Sequence, residues 1–117
     1  MKHVLTLVTL LAATLVSPAA HAGADANCHF HGKKPAAEAT VLTCASQYKD
    51  QLAGGGKIDA SWKTVTKPEK MEQIDGKRSK EWKIVFKNPA ATDKTKETLF
   101  LFYSLSGNLI AANHSGE

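Results

Sequence analysis

Three consecutive glycines, Gly54-Gly55-Gly56, divide the chain into two regions of different periodicity. Before them, Val41, Cys44, Ala45, Tyr48 and Leu52 recur at helical spacing and form one apolar stripe. Pro35 suits the first turn of such a helix, where its missing N–H costs nothing. Glycine takes the left-handed cap that ends it. The spacing therefore predicts a helix over residues 35–53, with Glu38, Gln47, Lys49 and Asp50 off the stripe. After the glycines the period becomes that of strands. Residues 58–66 carry the strand formers Trp62, Thr64, Val65 and Thr66. Pro68 interrupts them and residues 70–74 continue the pattern, as at a sheet edge. Residues 81–87 alternate, with Trp82, Ile84 and Phe86 on one face and Lys83, Val85 and Lys87 on the other. In residues 98–105, Leu99, Leu101 and Tyr103 face away from Phe100 and Phe102, and two apolar faces predict a central strand. Ser106-Gly107-Asn108 is a turn, and residues 109–112 form a short last strand.

One helix followed by three or four antiparallel strands predicts a two-layer α+β domain, the helix covering one face of the sheet. Trp82, Ile84, Phe86 and the helix stripe supply most of its core.

Residues 1–22 read as a signal peptide. Lys2 gives the positive start, Val4 to Val16 is apolar apart from threonines, and Ala20-His21-Ala22 is a small-x-small cleavage site. Removing 22 residues from 117 leaves 95, enough for one domain. The expected address is the periplasm or the exterior. No remaining segment is apolar enough to span a membrane. The formal charge of +4 includes Lys2, so +3 remains, interleaved with acids. That balance points to a solvated surface and not to nucleic-acid binding. The remainder divides into a flexible leader (23–34) rich in Cys and His, a domain (35–113) and a tail (114–117).

The domain resembles the PepSY-like modules, small extracytoplasmic domains of one helix followed by an antiparallel sheet. The segments that carry the resemblance are Gly54-Gly55-Gly56-Lys57-Ile58, Glu81-Trp82-Lys83-Ile84-Val85-Phe86 and the hairpin from Leu101 to Ile110. Lys57-Ile58-Asp59-Ala60-Ser61-Trp62 and Ala111-Ala112-Asn113 also look like a group of small secreted proteobacterial proteins with histidine-rich leaders. The resemblance implies this fold, a periplasmic address and a role in binding, peptidase inhibition or sensor modulation. It brings no catalytic residues.

Two cysteines in an exported chain most simply form one disulfide, Cys28–Cys44. An extended leader can run back along the helix to close it. The alternative is that Cys44 is only a small core residue on the stripe. Cys28-His29-Phe30-His31 holds the densest chemistry. Thiolate and imidazole suit copper, nickel and zinc, and His29 and His31 point the same way in an extended segment. His114 is a candidate third ligand if the leader crosses the sheet end; a convincing fourth is lacking. A disulfide would remove Cys28 from that set. Cleavage after Ala26, at the second small-x-small sequence Ala24-Asp25-Ala26, would put His29 third from a free amine, a copper- or nickel-binding arrangement. No nucleophile, paired-carboxylate or zinc-protease motif is present, so no enzyme is expected. Two functions stand. One is a non-enzymatic module binding a protein or peptide through Trp62, Leu99, Leu101 and Tyr103 on an uncovered sheet face. The other is a metal-binding protein using the leader.

Overall fold

A computed structural model of the chain describes residues 28–117. The expected signal peptide, both cleavage sites and leader residues 23–27 lie outside the described residues.

Helix α1 (Glu38–Gly54) begins three residues later than the spacing predicts. The Ala36 N–H donates to the Leu105 carbonyl at 2.7 Å, tying this stretch to the far hairpin before the helix starts. Ala37 is accordingly extended, at φ −63° and ψ 145°. At the other end Gly56 takes φ +73°, and the Lys57 N–H turns back to the Leu52 carbonyl at 2.9 Å. The triple glycine thus caps the helix as expected.

The expected strand over residues 58–66 does not form. A short 3₁₀ helix, Ala60–Thr64, takes its place. The Asp59 carboxylate accepts from the Ser61 N–H at 2.9 Å, and Thr64 Oγ1 donates to the Ser61 carbonyl at 2.6 Å. Local side-chain bonds of this kind compete with a strand ladder, and here they outweigh β propensity. The turn drives Trp62 into the core, where it is 1% exposed.

The sheet is an antiparallel meander in the order β1-β2-β3-β4, formed by β1 (Lys70–Asp75), β2 (Lys80–Lys87), β3 (Thr98–Ser104) and β4 (Leu109–Asn113). Trp82 lies opposite Tyr103, Ile84 opposite Leu101 and Phe86 opposite Leu99. Directly opposed residues share a face, so these six side chains form one apolar layer. They pack with Val41, Cys44, Ala45 and Ala53 of α1 and with Trp62. The result is the expected α+β architecture, with one helix on a four-stranded sheet. Lys49, read from the sequence as lying off the stripe, is buried too. Its aliphatic stem fills the core while its ammonium donates to the Trp62 carbonyl at 2.8 Å and pairs with Asp50. No helix among the described residues is long and apolar enough to cross a membrane.

On the opposite face of the sheet, Val85 and Phe102 are also buried. The Lys83 ammonium lies 5.1 Å and 5.9 Å from the centres of the Phe100 and Phe102 rings, and Gly116 of the tail closes on Phe100.

Candidate functional site

Two places carry chemistry or unburied apolar surface. The first is the leader. Cys28 and Cys44 are joined in a disulfide, with Cα atoms 5.8 Å apart. Two residues on, the Phe30 N–H donates to Asn108 Oδ1 at 2.7 Å, and Asn108 Nδ2 donates to the Phe30 carbonyl at 2.8 Å. One side-chain amide therefore satisfies both backbone groups of Phe30, as a neighbouring strand would. Asn108 is itself fixed, because its N–H donates to Ser104 Oγ and its carbonyl accepts from the Ser104 N–H. The Phe30 ring lies against Gly107 and comes so close that a Cβ there would stand 2.9 Å from it. With Phe30 turned inward, the exposed His29 and His31 rings stand together, centres 4.8 Å apart and planes at 88°.

The second place is a cleft of about 570 Å³ on the outer face of the sheet. Ile74, Phe102, Ile110 and Ala111 supply its apolar lining, and the β1–β2 turn and the end of the tail wall it. Between Phe102 and Tyr103 the β3–β4 register shifts, so Ala111 lies opposite Phe102 and Leu109 opposite Tyr103. Ile110 is the extra residue of this bulge and is 52% exposed. Charges of both signs also line the cleft: Lys77 and Arg78, which make no ion pair among the described residues, and Asp75, Glu81 and Glu117, of which Asp75 pairs with Lys80.

The sequence-derived candidates scatter over these features. Leu99, Leu101 and Tyr103 are in the core, not on an open face. The helix covers their side of β3 because that side continues the Trp82-Ile84-Phe86 layer. Trp62 is buried for the reason given above. Cys28 is oxidised and offers no thiolate. His114 does not join His29 and His31. Its Nδ1–H donates to the Thr98 carbonyl at 2.7 Å, at the start of β3, whereas the leader docks past the end of that strand. Six residue steps of strand separate those ends, roughly 20 Å. Among the described residues no three His, Cys, Asp or Glu side chains converge on a point that could hold a metal ion. His114 instead borders another hollow with Asp59 and Asp93. Hydrogen bonds from Ser61 and Thr95, respectively, hold those two carboxyls below their usual range.

Sequence reasoning missed Asn108 and Ile110. Ser106-Gly107-Asn108 signals a turn, but nothing local shows that the asparagine amide faces a segment 78 residues earlier. Ile110 sits in an ordinary short strand until the bulge turns it outward.

The fold and the leader define a class: a small two-layer α+β module with one helix, a four-stranded meander and a covalently tied N-terminal segment. The chain belongs to a family of unknown function, DUF6488, whose model matches residues 1–117. No curated protein and no solved structure matches it.

Proposed function

We propose that this is a non-enzymatic, PepSY-like module that works in the periplasm or outside the cell and binds a segment of a protein or peptide in the outer cleft. The observation that carries the reading is Ile110, a large apolar side chain left half-exposed beside Phe102 in a cleft open to solvent. Exposed apolar surface in a concave site favours a ligand that contributes an apolar side chain. The rim carries both signs of charge, Lys77 and Arg78 against Asp75, Glu81 and Glu117, so the apolar group and not the charge beside it defines the ligand. The Cys28–Cys44 bond supports the compartment, since disulfides persist outside the reducing cytosol.

The test uses amide NMR of the disulfide-bonded protein, titrated with short peptides in which leucine or phenylalanine is flanked by glutamate or by lysine. Both peptide classes are expected to shift Ile74, Phe102, Ile110 and Ala111. Ile110→Ser should weaken both by about tenfold or more, because burying such a side chain is worth about 1.5–3 kcal/mol. Shifts confined to other surfaces, or undiminished binding to the Ile110→Ser protein, would overturn the reading.

A further inference from the structure

The outer cleft leaves the leader unexplained. Three separate contacts hold this exposed polar segment: a disulfide, an amide that takes both backbone groups of Phe30, and an aromatic ring seated on a glycine. Only one side chain of the three at positions 29–31 is used inward. In extended chain, alternate residues point to opposite sides. Seating Phe30 therefore turns His29 and His31 outward together. The backbone that carries both is therefore held by the fold and is not a flexible tail.

That spacing is informative. With metal–nitrogen bonds of about 2.0–2.1 Å, an ion lies roughly 3.2 Å from the centre of each imidazole that binds it. Two rings bound at a square-planar or tetrahedral angle then have centres roughly 4.5–5.2 Å apart. The observed separation is 4.8 Å. Imidazole favours copper, nickel and zinc over the hard, oxygen-seeking magnesium and calcium.

From this geometry we propose that His29 and His31 form a two-imidazole site for a divalent transition-metal ion of the copper, nickel or zinc class. The site is independent of the peptide-binding reading and lies on a different part of the molecule. Cys28 and His114 take no part in it. His29 borders a hollow of about 410 Å³ with Tyr48 and Gln51 and His31 does not, so the remaining coordination positions lie on the solvent side of the two exposed rings. Two protein donors leave those positions to water or to a partner's side chain. Such an ion is exchangeable, unlike one enclosed by four protein ligands.

The experiment is a titration of the disulfide-bonded protein with Zn(II) alone, read by calorimetry and by the imidazole proton signals of each histidine. The expected result is one ion per chain, with the His29 and His31 signals moving together. His29→Ala and His31→Ala should each weaken binding at least tenfold, and His114→Ala should leave it unchanged. Both histidines are exposed, so these variants test the site without touching the core. Mg(II) is expected to produce no response. The proposal falls if Zn(II) moves only His114, if either leader variant binds as tightly as the parent, or if Mg(II) competes on equal terms.

Discussion

Tyr103 shows what a single residue contributes here. Its phenol lies in the core layer opposite Trp82. Burial pushes its ionisation above the ordinary tyrosine value of 10, and the nearby Tyr48 pushes it the same way. The folded state thus favours the neutral phenol. The stabilisation is complete below the pH at which an unfolded tyrosine ionises and is lost as pH rises above it. The melting temperature should therefore fall as pH is raised from about 9 through 11. Tyr103→Phe should flatten that alkaline decline, measured by circular dichroism at a series of pH values. An equally steep decline in the variant would assign the alkaline limit to other groups. Single residues were also where sequence reading was least secure. Lys49 follows Ala45 by one helical turn, and only its charge argues for a place outside the core. The Trp62 carbonyl and the Asp50 carboxylate together make a buried ammonium tolerable there.

At the scale of elements, most of the fold was legible and the errors have definite causes. The stripe of α1, the alternation in β2 and the two apolar faces of β3 each repeat over several residues, and repetition is what periodicity detects. Residues 58–66 failed because Asp59, Ser61 and Thr64 satisfy the backbone locally, a choice made by three side chains and not by a pattern. The covered face of β3 is illegible in the sequence for a different reason. With apolar residues on both sides, the strand's own sequence does not say which side the helix takes. The register with β2 decides it. The leader's docking was illegible because it depends on a contact across 78 residues. The β3–β4 turn supports that docking, and Gly107 is its most constrained residue. Its φ is +102°, and the Phe30 ring occupies the space a side chain would need. Gly107→Ala should cost roughly 1–3 kcal/mol, the usual penalty for a side chain in that backbone region, and more if Phe30 is displaced. Urea unfolding measures the loss. Aromatic proton signals of Phe30 should lose their core-like dispersion in the same variant.

At the scale of the whole molecule, one helix on one sheet gives a small core, and chains of this size gain from a covalent staple. Cys28 and Cys44 are 16 residues apart. On the chain-entropy model, closing a loop of that size stabilises the fold by about 3 kcal/mol. Reduction by a dithiol, or the double change Cys28→Ala and Cys44→Ala, should lower the urea midpoint by roughly one molar or more. An unchanged midpoint would mean that Asn108 and Gly107 alone already hold the leader in place.

The long reach of that docking also sets an order of events in a growing chain. Synthesis runs from the amino end, so both cysteines emerge before any strand of the sheet. The meander can then assemble hairpin by hairpin as β1 to β4 appear. Phe30 has no seat until Gly107 exists, and its backbone has no partner until Asn108 does. The outward pairing of the two histidines therefore waits for the β3–β4 turn, and only β4 and the tail come after it. A nascent chain that stops short of the final turn carries the same imidazoles without the geometry that makes them a pair.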